Sequence, residues 1–392
     1  MANALIHSSL NICFALVPVF QSEFNVTIGV VGLIVTAPLI VKILASLPVG
    51  MLTDRYDLRK LVTFSLLFIA AGGLIVSQSH SPLQLVAGFS AISLGQAVFH
   101  PAAYGIIITL FSRERRNLAL GLNGTGATLG TAIGPISVGL IMYFLGQSSW
   151  RLGYLIWVIP AFAFSILILF AKMREQTVPG RTETTTRDKT GRRWSLRSIL
   201  TPTYIAFLVL IGIRSFGVQS ITTYLTTYLK DARQMPVDLA SILFGAMSLT
   251  GTIAAPIGGY LADRRGEEYA LSIAYLSETA MLVGLALSPS LAFLVPLTVL
   301  YGFMDNASLA PSSALVAKLS LPSRRGTAYA VYSLSSNLAG SLAPFVCAYI
   351  VQQWSVWFVF PVAISTYLLA FTILYLKLGR QGQPAVSSAA SA

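Results

Sequence analysis

Residues Gly50 to Lys60 read GMLTDRYDLRK, two aspartates, two arginines and a lysine set between long apolar runs. Gly258 to Glu268, GGYLADRRGEE, nearly repeat the pattern. The rest of the chain is oily. Of 392 residues, 55% are hydrophobic and 10% charged, and the mean hydropathy is +0.73, a composition that excludes an ordinary soluble protein. Apolar stretches about 20 residues long, each enough to cross ~30 Å of hydrocarbon at ~1.5 Å per residue, recur roughly twelve times.

Laying out twelve spans with both termini on one face puts 21 of the 26 Lys and Arg residues in loops of that face. Arg151, Lys230 and Arg233 fall on the opposite face, and Lys42 and Arg214 fall inside spans. The positive-inside rule makes the basic face, and with it both termini, cytoplasmic. The net charge of +12 therefore sets topology and gives no reason to expect nucleic acid. The opening MANALIHSSLNICFALVPVF lacks the basic region and cleavage site of a signal peptide and reads as the first span. Cys13 and Cys347 fall in spans, with no disulfide framework and no metal-ligand spacing. No phosphate-binding G-x4-G-K-(S/T) loop occurs, so neither ATP nor any other cofactor is expected. With three His, two lone Cys and no H-E-x-x-H, the sequence does not read as an enzyme.

Residues 174 to 200 form the long polar connection of the chain. We read 1–174 as one six-span bundle, 175–200 as a linker, 201–380 as a second bundle and 381–392 as a disordered tail. A shift of 209 places Gly50, Leu52, Asp54 and Arg55 on Gly259, Leu261, Asp263 and Arg264. The same shift places Arg115, Arg116, Ala119, Leu129 and Pro135 on Arg324, Arg325, Ala328, Leu338 and Pro344. One offset serving two separate stretches marks a tandem repeat.

Twelve spans, a long central loop and G-x-L-(A/T)-D-R at the end of the second and eighth spans resemble the major facilitator superfamily of transporters, over roughly residues 1 to 380. The resemblance implies an all-α membrane protein of two six-helix bundles. It also implies that spans 1, 4, 7 and 10 line a central cavity, that 2, 5, 8 and 11 flank the interface between halves, and that the rest stay outside. The string F-H-P at 99–101 resembles the fosmidomycin-resistance-like branch, whose members are regarded as exporters. Several positions depart from the pattern. Asp57 stands where the loop motif usually has Gly, Glu267 and Glu268 replace its second basic pair, and Ala91 stands where many proton-coupled antiporters have Arg.

Asp54 lies where the second span leaves the membrane. A helix N-terminus carries roughly half a positive charge, worth about 0.3 to 2 kcal/mol to a nearby carboxylate. Asp54 is therefore placed to latch onto the start of span 11, and Asp263 onto the start of span 5 near Leu118, when the basic face closes. The family's loop acid implies the same role. Arg55 and Arg264 accompany the two acids; the alternative is that the cluster only sets topology and solvates a turn. In span 5, Gly126, Gly130 and Gly134 share one face before Pro135, which suits close helix packing and a bend. Gly130-x3-Gly134-Pro135-x3-Gly139 resembles the family's antiporter motif, with Val138-Gly139 in place of Gly-Gly.

A charge in hydrocarbon costs at least ~2.5 kcal/mol, so four deep residues stand out. Lys42, Arg214 and Asp305 fall in spans 2, 7 and 10; Glu278, in span 9, reads as structural. Arg214 and Asp305 form either a structural pair or an anion-binding cation with a proton-exchanging acid. Lys42 has no evident acid in its own half, which suits binding of an anion. His100, before the helix-bending Pro101, is a candidate for anion binding or proton relay, and His7 with Asn11, one turn apart, could join it.

The expected function is secondary transport of a small, anionic molecule by alternating access, with protons as coupling ion and export by antiport as the preferred mode. Proton symport is the alternative, and a non-transporting receptor a further one. The lipid bilayer is the expected surrounding, in the cell membrane, and the chain is expected to act as a monomer.

Overall fold

A computed structural model describes residues 1–171, 200–321 and 325–378, except for the side chains at 47, 50–55, 113, 114, 116 and 117. The expected linker over 175–200 and tail over 381–392 lie outside the described residues. Within them all regular structure is helical, with eleven helices long and apolar enough to cross a membrane, or twelve when the bent first pair is one span.

That first span is α1 (Ala2–Ala15) and α2 (Val17–Glu23), which meet at 57°. The first half continues with α3 (Ile28–Arg55), α4 (Leu58–Ser77), α5 (Pro82–Leu110), α6 (Arg113–Leu145) and α7 (Trp150–Phe170). The second half comprises α8 (Pro202–Thr227), α9 (Val237–Leu249), α10 (Gly251–Arg265), α11 (Glu267–Leu287), α12 (Leu291–Ala307), α13 (Leu309–Leu319), α14 (Arg325–Gln353) and α15 (Val359–Ile373). Here α9 with α10, and α12 with α13, are each one broken span. Across the halves α3 packs on α14 and α6 on α9, so the second, fifth, eighth and eleventh spans form the interface the resemblance implied.

The bend in the first span follows from Pro18. Proline has no N–H, so the Phe14 carbonyl loses its helical donor. The Val19 N–H turns to Leu16 at 2.9 Å, which frees the Ala15 carbonyl as well. Hydroxyls of the other half approach both: Thr226 donates to Phe14 at 3.0 Å, and Ser241, whose one proton also goes to the Val237 carbonyl at 2.7 Å, reaches Ala15 at 3.3 Å. The Lys230 ammonium adds a contact to the Pro18 carbonyl at 3.4 Å. The end of the molecule opposite the basic loops is thereby closed.

At the basic end the halves part. Leu118 and Leu122 on α6 are each 65% exposed, and a Cβ at Gly121 or Gly124 would meet nothing within 4 Å. The two copies of the loop motif turn differently. Gly266, at φ +92, closes α10 with its N–H on Ala262 at 2.8 Å, a backbone position that suits glycine. Asp57, at the matching place, has φ −59 and instead caps α4 by accepting from the Arg59 N–H at 2.8 Å.

α6 runs unbroken through Pro135. Its glycines serve close approach: a Cβ at Gly130 would strike the Ala4 carbonyl of α1, and one at Gly134 would sit 2.5 Å from the Ser8 carbonyl. Gly126 has room, its nearest neighbour being 3.8 Å away. We expect Gly130→Ala to lower thermal stability in detergent by about 1 to 3 kcal/mol and Gly126→Ala to leave it unchanged, as read by the melting of monodisperse protein. Thr226→Val leaves the Phe14 carbonyl without its donor. It should favour opening of the closed end by about 0.6 to 2 kcal/mol, read as faster alkylation of a Leu229→Cys reporter.

Candidate functional site

Between the halves lies a cavity of about 350 Å3. The first half contributes His7 and Asn11 from α1, Lys42 from α3, Gln96 from α5 and Thr131 from α6. The second contributes Arg214 from α8, Asp305 from α12 and Asn337 from α14. Spans 2, 5 and 11 thus join the lining, beyond the four that the resemblance implied. Parting of the halves at the basic end uncovers the flanks of these helices.

Lys42 stands in this wall with no hydrogen bond or ion pair to its ammonium among the described residues. Across the cavity the balance of charge is reversed. Arg214 Nη2 lies 2.7 Å from Asp305 Oδ1 and 2.8 Å from Glu278 Oε1. The guanidinium also faces the rings of Tyr275 at 5.1 Å and Tyr367 at 5.7 Å. Glu278 comes from α11, outside the cavity wall, and is fully buried, whereas the Asp305 side chain keeps 26% of its surface. The ion pair expected between Arg214 and Asp305 therefore has a third member, delivered by a helix that does not line the cavity.

On the first half, His7 Nδ1 is 3.4 Å from the Thr131 hydroxyl, which also accepts from the Asn11 amide at 3.4 Å. Asn11 donates to the His7 carbonyl at 2.8 Å, as their one-turn spacing allows. His100 does not line the cavity. Its ring packs edge-on behind His7, with centroids 5.7 Å apart. The two histidines, placed in different spans by the sequence, thus meet. His7 Nε2 and Gln96 Oε1 are buried without hydrogen-bond partners among the described residues.

Gln96 is uncharged and lies three residues before the F-H-P string at 99–101. Its signal was position, since it precedes His100 by four residues and so shares its helix face. Ser215 and Ser336, hydrogen-bonded at 2.7 Å in the opposite wall, carry no charge to mark them.

The side chains of Asp54 and Arg55 lie outside the described residues. Asp263 is exposed and, among the described residues, makes no hydrogen bond or ion pair, while Arg264 sits 4.7 Å over the Tyr260 ring. Leu118, the expected neighbour of Asp263, is itself exposed. Glu267 and Glu268, the acidic substitutes in the second copy, hold Lys318 at 2.9 Å each.

Comparison with known proteins meets this geometry at several points. The chain is 24% identical to the fosmidomycin resistance protein of Escherichia coli K12 over 94% of its length and 89% of the relative's. It is 23% identical to the nitrite extrusion protein of Bacillus subtilis, over 90% and 86%. Its fold matches that of a bacterial homologue of the human lysosomal transporter Spinster, solved inward-facing and occupied, with a TM-score of 0.79 at 15% identity, covering 96% of this chain and 94% of that one. The Major Facilitator Superfamily model matches residues 1–295 and 235–391, so this multi-pass membrane protein belongs to that superfamily of transporters.

Proposed function

We propose that the protein exports a small anion in exchange for protons, by rocking its two halves about the central cavity. The observation that carries this reading is Lys42, a cation at mid-depth facing the cavity with no acid paired to it among the described residues. A lone ammonium away from bulk water is costly, and an anionic substrate offsets that cost. His7, Asn11 and Gln96 stand in the same wall to orient the anion, with His100 behind His7. Export is supported by the relatives named for fosmidomycin resistance and nitrite extrusion. By the positive-inside rule the open end faces the cytoplasm, which is where an exporter collects its cargo.

In this conformation Asp263 is exposed and without a hydrogen bond or ion pair among the described residues, and we assign the two loop acids to the state closed on the basic face. Asp54→Asn and Asp263→Asn should then bias the protein toward the open form. Faster alkylation of a Gly124→Cys reporter, relative to the parent, is the expected result; unchanged rates would remove the latch.

Proteoliposomes loaded with nitrite, and separately with fosmidomycin, test the transport itself. Substrate efflux with proton entry is expected. Protons leaving with the substrate would replace antiport by symport, and binding without flux would make the protein a receptor. Lys42→Ala should weaken anion transport about tenfold, the scale of one lost charged hydrogen bond, and leave neutral solutes untouched. An equal loss for both would sink the charge argument.

A further inference from the structure

Arg214, Glu278 and Asp305 bring two carboxyl groups to a single guanidinium nitrogen. With both acids ionised, the cluster would carry one net negative charge in a nearly water-free place. Isolated buried charge is the costly alternative, and neutralisation by a proton is how such groups escape it. Asp305 lines the cavity and keeps 26% of its side-chain surface, so its charge is open to solvation; Glu278, fully buried on α11, is not. Glu278 Oε2 has no hydrogen bond among the described residues, so its charge is met only through Oε1, by a guanidinium it shares with Asp305.

The groups around Glu278 supply no second cation. Arg214 reaches it from α8, Tyr301 and Asp305 stand on α12, Tyr367 on α15 and Tyr275 on its own helix, and the Tyr301 and Tyr367 hydroxyls bond each other at 2.9 Å. The charges of α10 and α13 belong to the other end of α11, where Lys318 binds Glu267 and Glu268. That end is about ten residues, hence ~15 Å, from Glu278.

We propose that Glu278 is the proton-carrying group of the transport cycle, holding one proton that it exchanges with Asp305 across Arg214. The step moves a proton alone: an O–H bond breaks at one carboxyl as another forms at its partner, and Arg214 remains charged beside whichever group is ionised. Asp305 is then the port to cavity water and Glu278 the store. The cluster also stands at the break between α12 and α13. The Asp305 carbonyl there accepts from the Ser308 hydroxyl at 2.7 Å, with Arg214 Nη2 at 3.5 Å. Movement of the proton thus changes the pull of Arg214 at this junction of the second half.

This inference rests on the proton-coupled reading above, but its test needs no substrate. Infrared difference spectra of the purified full-length protein in nanodiscs, titrated from acid to alkaline pH, read the C=O stretch of a neutral buried carboxyl. We expect such a band in the parent protein and its loss in Glu278→Gln; Asp305→Asn, which leaves one acid to one guanidinium, should lose it as well, so isotope labelling assigns the proton to Glu278. Protein made with carboxyl-labelled carbon-13 glutamate should shift the band downward with no substitution at all, which covers a variant that fails to fold. A band that survives Glu278→Gln, ignores the glutamate label, or is absent from the parent overturns the assignment. Failure of antiport would appear separately, as substrate flux without proton flux, and would leave the spectrum as it is.

Discussion

Inside the apolar layer no water is at hand, so every carbonyl freed from a helix and every charge must find its partner in protein. That constraint organises the closed end. Pro18 frees the carbonyl of Phe14, its kink frees that of Ala15, and the hydroxyls that reach them, Thr226 fully and Ser241 as a proton shared with Val237, belong to the other half. A local defect in the first span thereby becomes a joint between bundles. The joint is also easy to break, because each contact is a single neutral hydrogen bond worth about 1 kcal/mol or less in a membrane. Alternating access requires such a seal, firm enough to hold and weak enough to open.

The same constraint divides the cavity wall. Arg214 is paired with two acids on one side, whereas Lys42 has none on the other among the described residues. A lone cation facing an excess of carboxylate gives the cavity a direction that neither half has by itself. Under the assignments proposed above, substrate and proton would be held by different halves, and each would sense the other chiefly through the rocking motion that brings the walls together. Coupling in this arrangement needs no shared residue.

Much of the architecture was legible in the sequence because the bilayer penalises alternatives so heavily. Twelve apolar spans, the constant offset between Asp54 and Asp263, and the interface formed by α3, α6, α9 with α10, and α14 follow from hydropathy, repetition and resemblance. Lys42, Arg214 and Asp305 were legible for the same reason, since a charge is conspicuous in an apolar helix. What stayed hidden depends on rotation and pairing. α11 is apolar over most of its surface, so nothing in its sequence says that Glu278 turns inward to Arg214. The partner of the Phe14 carbonyl is 212 residues away, beyond any local pattern. Gln96 and the Ser215 and Ser336 pair are uncharged and cost too little to stand out.

The loop motif gains a further meaning from its neighbours. At the basic end each half is fastened to itself. Arg59 donates to the Ala171 carbonyl at 3.0 Å, tying the start of α4 to the end of α7, and Lys318 ties α13 to the start of α11 through Glu267 and Glu268. A cation at a helix C-terminus also meets the negative end of its dipole, which favours the Arg59 contact. Among the described residues every hydrogen bond between the halves lies at the opposite end, on the carbonyls of Phe14, Ala15 and Pro18. Two bundles sewn up internally at one end and joined to each other at the other can pivot as rigid bodies. The acidic pair that departs from the family pattern in GGYLADRRGEE is therefore part of that stiffening, since it is Glu267 and Glu268, not Asp263, that hold Lys318.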